Sequence, residues 1–411
     1  MLGTAARSIA FAALSLSRKA TLRSGPNRIM RELNLIATGR LEWIDRPDPV
    51  LKDSGDAIVR PIVVGRCDGD TLPIHRHVSR AMQTGLKAGL IDPAVAHICG
   101  PLPFAGPFAI GHECVGEVLQ VGSAVTRVAV GDRVVVPWSI SCGACERCRR
   151  GLTSKCLTTR RVPTGERVLA AYGFGSASGS YGGMVSDLIH VPFADHMLVP
   201  IPNGLDPLRV AAASDNLADA WRAIVPHLRA RPGARVLVVG GGAQSIGLYA
   251  AGLAVAHGAS DVDYVDVSRR RIEIADALGA TTHRRSRRSK TPRGTYDIVV
   301  EASSSTTGIR YAIRATAPGG ICTAVGYYIA TNTGIPLMHM YANDITLHLG
   351  VSHPRAVLPE LLTWIHTNQF PAELVTTQLA AFDDAPSAYR ARTTKLVLHR
   401  PPLTRDPSTA A

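Results

Sequence analysis

Two hydrophobic rhythms divide the chain. From Arg31 onward, short apolar runs such as residues 57–64 and 115–121 are separated by Gly, Pro and Asp, the pattern of an all-β region. Residues 75–100 interrupt it with a partly helical insert, and a further strand is expected over 187–191. The rhythm changes near Asp206. Residues 207–220 and 221–231 read as two helices that stop at Pro232-Gly233. Strand and helix then alternate, the mark of a doubly wound parallel sheet. After its arginine, Arg235-Val-Leu-Val-Val239 is a continuous apolar run, as suits a strand buried on both faces. The pattern continues with helix 248–257, strand 261–266, helix 268–278, strand 297–301, the Pro318-Gly-Gly320 turn and strand 321–325. A mixed tail follows: helix 355–367, strand 373–377, helix 385–390 and strand 395–398.

Length and composition bound the reading. A chain of 411 residues is long for one core, so about two domains are expected. Hydrophobic content of 46% with mixed charge describes a folded soluble protein. No apolar run approaches the roughly 18–20 residues that span a bilayer. The net charge of +13 raises a nucleic-acid reading, but much of the excess lies in His283-Arg-Arg-Ser-Arg-Arg-Ser-Lys-Thr-Pro-Arg293. That run has no interleaved aromatic residue and reads as a solvated loop, so no nucleic-acid partner is expected. Residues 1–27 contain no Asp or Glu and are rich in Ala, Ser, Leu and Arg. They resemble an organelle transit segment more than a secretory signal, and Met30 offers an alternative start. Residues 1–29 are expected as a disordered extension.

Three groups of residues carry chemistry. Cys142, Cys145, Cys148 and Cys156 fall within fifteen residues, at intervals of two, two and seven. Four such thiolates suit a closed tetrahedral zinc site that has no place for substrate. Clustered thiols with metal spacing also point to a reducing, cytoplasmic setting. The second group is Gly240-Gly-Gly242-Ala-Gln-Ser245-Ile246-Gly247 between a strand and a helix, with Asp266 closing the next strand. Glycines let backbone amides approach a pyrophosphate at a helix N-terminus, and the acid would take the ribose hydroxyls. Ser245 stands where a third glycine is usual. Asp266 favours NAD over NADP, and Arg269, Arg270 and Arg271 could offset that preference. The third group is Cys67, His112 and an acid, suited to a catalytic zinc that wants three protein ligands and one open position. Glu113 is adjacent, and Asp70 is placed to orient the second nitrogen of His112.

These motifs, in this order, resemble the zinc-containing medium-chain alcohol dehydrogenase family from Met30 to about Leu398. The resemblance rests on Cys67-x-x-Asp70, Gly111-His112-Glu113, Gly131-Asp132-Arg133-Val134, the four-cysteine loop, Tyr181-Gly-Gly183, the glycine loop and Lys395-Leu-Val-Leu. It implies an α/β fold: a Rossmann domain, a doubly wound parallel sheet, inserted into a mainly β, barrel-like (GroES-like) catalytic domain. The expected divisions are a first catalytic part over 30–213, with the structural zinc loop at 142–156. A dinucleotide-binding domain over 214–348, a second catalytic part over 349–400 and a tail over 401–411 follow. Ser214-Asp215-Asn216 stands where other members carry cysteine, so the resemblance implies a catalytic zinc on Cys67, His112 and Asp215, with Glu113 nearby or alternating.

Two zinc ions per chain, NAD, an alcohol or aldehyde substrate and a homodimer or homotetramer are thereby implied. Three departures stand out. Gly69 replaces the usual Ser or Thr of the proton relay, leaving Asp68, a water or a substrate hydroxyl. The insert separates Cys67 from His112 and brings His75, His77 and His97 as candidate proton acceptors. The fingerprint glycines are rearranged. Two other readings remain open: a zinc-independent NADPH reductase of the same superfamily, and a nucleotide-binding homologue without catalysis.

Overall fold

The computed structural model describes residues 28–100, 102–160, 169–175, 181–284, 286 and 292–402. Most of the N-terminal extension, part of the basic run after Arg284 and the end of the tail lie outside the described residues.

The second half forms one six-stranded parallel sheet. Across the sheet its strands run Thr281–Arg284, Asp261–Asp266, Arg235–Val239, Tyr296–Glu301, Thr316–Ala324 and Thr346–Leu349. In chain order that is 3-2-1-4-5-6, which reverses direction between Arg235–Val239 and Tyr296–Glu301. A ligand crevice opens outside the carboxyl ends of strands at such a reversal. The glycine loop leaves Arg235–Val239 at that point, and its Gly242 and Ala243 amides donate to the carbonyls of Ser303 and Ala302. The helix Gln244–Ala256 is apolar on nearly all sides and buried between this sheet and the helix Asn216–Ala230.

The first half and the chain's end build a seven-stranded sheet in which Leu396–His399, Ala57–Gly65, Glu113–Val121 and Arg133–Val136 are successive neighbours. A three-stranded sheet of Arg40–Pro47, Ile29–Ala37 and Phe108–Ala109 packs beside it. The largest apolar core is continuous across both halves: Ile62, Val63, Val115 and Val135 of the seven-stranded sheet share it with Val236, Val238, Ile298 and Val300 of the parallel sheet. The insert contains the helices Thr71–His75, Val78–Lys87 and Ala96–Cys99. Its middle reaches the other half, where the Asp92 amide donates to the Ile329 carbonyl and the Thr331 amide to the Leu90 carbonyl.

Several expected elements are corrected. Residues 207–220 and 221–231 are not two helices; turns lead to one helix, Asn216–Ala230. The Ser214 hydroxyl bonds the Cys114 backbone and Asp215 leaves helical geometry, so tertiary contacts override the apolar periodicity. The strand expected at 373–377 is a short 3₁₀ turn, Ala372–Val375, which buries Val375; the strand follows at Gln378–Ala381. The Pro318-Gly-Gly320 turn lies inside Thr316–Ala324 as a break in register, with Gly319 at φ +70°. The basic run begins as an edge strand, Thr281–Arg284, whose His283 meets Asp263 at 2.8 Å. Among the described residues no helix is long and apolar enough to cross a membrane.

Candidate metal centres and nucleotide site

The four-cysteine loop wraps as its spacing predicts. The four sulfurs lie within 4.8 Å of one another. Backbone amides of Cys142, Cys145 and Leu157 each donate to a sulfur at 3.4 Å, and the Thr158 hydroxyl donates to Cys142 Sγ at 3.2 Å. Such donors stabilise thiolates; against the opposing effect of burial they bring Cys145 down to about 6. Gly143 is required here: its φ is +76°, and a Cβ would lie 2.7 Å from the His196 ring.

The second centre assembles residues from three separate elements. Cys67 follows the strand Ala57–Gly65, His112 precedes Glu113–Val121, and Asp215 precedes the helix Asn216–Ala230. Cys67 Sγ lies 3.1 Å from Asp215 Oδ2, and His112 Nε2 lies 3.5 Å from the same oxygen. His112 is 1% exposed, yet neither ring nitrogen has a hydrogen-bond partner. Asp70 Oδ1 faces its Nδ1 at 3.3 Å, at ion-pair distance but outside hydrogen-bond geometry. Gly111 permits this approach, with φ +93° and space that a Cβ would contest with Val185 at 2.4 Å.

Electrostatics favour a cation between these groups. Burial and the neighbouring Asp215 push the Cys67 thiol well up. Burial opposes the imidazolium, but Asp70 and Cys67 raise His112 above its ordinary value. A thiolate and a carboxylate this close, both shielded from water, coexist only with positive charge among them. One sulfur, one nitrogen and one oxygen donor match the three protein ligands of a catalytic zinc site. The residues therefore fit zinc.

Glu113 stands outside this donor set. Its Oε1 accepts from the Asn216 amide at 3.0 Å, and its Oε2 meets the Lys395 ammonium, both side chains being fully buried. Lys395 Nζ also donates to Asn216 Oδ1 at 2.9 Å. Asn216 Nδ2 in turn donates to Cys67 Sγ at 3.2 Å and Asp215 Oδ2 at 3.0 Å. Sequence reasoning missed the parts played by Asn216 and Lys395, although a lysine opening the apolar run Lys395-Leu-Val-Leu was a visible anomaly. It also missed Ser352, which donates to Asp215 Oδ1 at 2.8 Å. Trp138 and Phe174 pack against His112, with Phe174 at 4.6 Å between ring centroids. His77 and His97 are exposed, and His75 lies near Arg66 and Arg392; none of the three joins the donor set.

At the glycine loop, the Asp266 carboxylate is fully buried and held by Arg271, whose Nε and Nη2 each donate at 2.7 Å. Tyr264 donates to Asp266 at 2.8 Å, and Arg271 Nη1 to Gln244 at 3.0 Å. Gly240 and Gly242 have no room for a side chain: a Cβ would lie 2.5 Å from Asp266 and 2.8 Å from Ser304, respectively. Gly247 packs against Ala302, at 3.1 Å from a built Cβ, and Ile246 is buried. Ser245 is committed elsewhere: its amide and hydroxyl donate to the two oxygens of Asp68 at 2.8 and 3.1 Å. Asp68, a candidate for the missing relay hydroxyl, and Ser245, which stands where a third glycine is usual, are thus partners in one buried contact. It joins the turn that carries Cys67 to the nucleotide loop.

Two family models match the chain. Residues 53–203 match the alcohol dehydrogenase GroES-like domain, and residues 245–367 match the zinc-binding dehydrogenase domain. The chain belongs to the zinc-type medium-chain alcohol dehydrogenase family. Among relatives of this dehydrogenase is a Mycobacterium tuberculosis protein named as a probable zinc-binding alcohol dehydrogenase. It is 27% identical over 365 residues, 88% of this chain and 84% of that one. A glutathione-independent formaldehyde dehydrogenase of Pseudomonas aeruginosa is 33% identical over 174 residues, 41% of this chain and 42% of its own. The solved alcohol dehydrogenase of Thermus sp. ATN1 superposes with a TM-score of 0.73 at 26% identity, covering 90% of this chain and 99% of that one.

Proposed function

We propose that the chain is a zinc-dependent dehydrogenase that moves a hydride between an alcohol, or the matching aldehyde or ketone, and a nicotinamide dinucleotide, with NAD preferred. One observation carries this reading. Cys67 Sγ and His112 Nε2 both approach Asp215 Oδ2, and the residue after Cys67, Asp68, bonds the glycine loop. Metal donors and dinucleotide crevice then share a wall.

When bound, zinc supplies Lewis acidity to the substrate oxygen and the nicotinamide carries the hydride. Cys67, His112 and Asp215 would hold the metal, and Asp70 faces the Nδ1 of His112 at ion-pair distance. Lys395 and Glu113 fix Asn216, which fixes Cys67. Trp138 and Phe174 give the pocket an apolar side behind His112. Gly69 carries no hydroxyl, and Asp68 is engaged by Ser245 through both oxygens. The alcohol proton therefore leaves to water or through a second hydroxyl of the substrate. Asp266 closes the second strand with both carboxylate oxygens already engaged by Arg271, Tyr264 and the Ser268 amide, so Arg271 neutralises part of its charge and narrows the preference for NAD.

A three-part division at 214 and 349 is supported by the two sheets, except that Leu349 ends the last strand of the parallel sheet. All eight cysteines are free, in keeping with a reducing cytoplasm. The edge strand Thr346–Leu349 and the helix Leu337–Ala342 expose Leu337, Met338, Tyr341 and Leu349. Two copies pairing at this edge would bury them, giving a homodimer or the half of a homotetramer. Metal analysis tests the central reading: about two zinc ions per chain are expected, and Cys67→Ala should lose one of them and all turnover while still binding NAD. Undiminished alcohol oxidation by zinc-free protein would overturn it.

A further inference from the structure

The Asp215 carboxylate is held by a hydrogen-bonded chain that runs back to the four-cysteine loop. Ser352 Oγ donates to Asp215 Oδ1 at 2.8 Å, which leaves Oδ2 facing Cys67 and His112. The Trp138 indole N–H donates to the same Ser352 Oγ at 2.9 Å. An indole N–H is a donor only, so the hydroxyl accepts from Trp138 and has its single proton free for Asp215. The direction of both bonds is thereby settled.

Ser352 is fixed in turn by Ser154, two residues before Cys156. Ser154 Oγ donates to the Ser352 carbonyl at 2.5 Å, and the Ser154 amide donates to His353 Nδ1 at 3.1 Å. With that proton spent, Ser154 Oγ accepts from Ser139 Oγ at 2.7 Å. Ser352 is 4% exposed, and Ser139 and Ser154 are 0% exposed, so water does not compete for any of these bonds. The Trp138 amide also donates to the Ser214 carbonyl at 3.3 Å, gripping the residue before Asp215. A carboxylate held at one oxygen by a buried donor cannot rotate about its Cβ–Cγ bond, so the other oxygen stays aimed at the metal donors. Partners of this kind commonly change metal affinity 10–100-fold.

We propose that Ser352 is a positioning residue for the Asp215 ligand, and that the four-cysteine loop sets Ser352 through Ser154. The metal site that does no chemistry then determines the grip of the one that does. The inference rests on the reading of Cys67, His112 and Asp215 as a zinc site.

The test follows zinc release to a chromogenic chelator from the zinc-loaded full chain. The Cys67→Ala variant identifies the phase that belongs to the Cys67 site. Ser352→Ala should release that zinc about 10–100-fold faster, with the four-cysteine zinc still retained as the marker of an intact fold. Ser352→Thr should restore slow release, and Ser154→Ala, which keeps all four cysteines, should also accelerate it. Cobalt-substituted Ser352→Ala should show shifted visible bands from the Cys67 site alone. Release within twofold of the parent and unchanged cobalt bands in Ser352→Ala would overturn the inference and leave the zinc reading standing. Failure of the parent chain itself to bind a second zinc would overturn both.

Discussion

Replacing Lys395 with Met offers the sharpest test of how the Cys67 centre is supported. Both side chains of the Lys395–Glu113 pair are completely inaccessible to solvent. Methionine keeps the length and most of the volume but removes the charge and its donors. Glu113 Oε2 and Asn216 Oδ1 would each lose a partner, while Glu113 Oε1 would keep the Asn216 amide. Breaking a buried pair on one side costs about 3–5 kcal/mol, because the remaining charge stays desolvated. With an unfolding entropy of about 2.1 cal/mol/K per residue, a cooperative unit of this size should melt roughly 3–6 °C lower. Removing both charges, as Glu113→Gln with Lys395→Met, should recover more than half of that loss, since a carboxamide tolerates burial better than an unpaired carboxylate. Circular dichroism melts of the zinc-loaded parent, single and double variants measure the three values. Activity should fall in the single variant as well, because Asn216 loses the anchor that aims it at Cys67 Sγ. A single variant melting within 1 °C of the parent, or a double variant no better than the single, would refute this reasoning.

Three further outcomes follow from the geometry. Burial lowers His227 and His257 to about 4 from the ordinary 6.5; between those values the unfolded chain binds protons that the native chain refuses. Stability from this source is therefore intact above pH 6.5 and is lost as pH falls toward 4. Melting temperatures across that window should flatten in His227→Gln, and an unchanged slope would discount it. Gly240→Ala would place a Cβ 2.5 Å from both Asp266 and the Tyr264 hydroxyl. It should weaken NAD binding at least about tenfold by calorimetry, a change of about 1.4 kcal/mol, without altering the zinc count. Arg271→Ala removes the bidentate partner of Asp266 and leaves that carboxylate unscreened. The ratio of kcat/KM for NAD over NADP should rise on the order of tenfold, about 1.4 kcal/mol, and a fall in the ratio would count against the assigned role.

The parts of the fold that were legible in the sequence are those whose cause is local. Arg235–Val239 is apolar at nearly every position because both of its faces are covered, and the glycines after it are excluded from substitution by atoms within 3 Å. Asp261–Asp266 lies where its pattern places it. The helix expected from 207 failed for a nonlocal reason: Ser214 is claimed by Cys114, a hundred residues away. The short strand placed at 373–377 failed because Val375 is drawn into the apolar core beside the helix Gln244–Ala256. Apolar periodicity shows that a segment is buried, but not which neighbour buries it.

The same division runs through the two candidate metal centres. Four cysteines within fifteen residues determine their own site, since short loops leave the thiols little choice but to meet. Cys67, His112 and Asp215 come together only because a strand end, a left-handed glycine and a helix start converge in space. The sequence by itself established two sheets of different kinds and the residue types of a candidate dinucleotide loop and a second candidate metal centre. Tertiary structure alone decided that Glu113 pairs with Lys395, that Asp68 closes onto Ser245, and that Ser352 aims Asp215. Those contacts span roughly 140 to 280 positions of chain. Their partners are chosen by packing that brings distant buried polar groups within 3 Å of each other, where each must be satisfied.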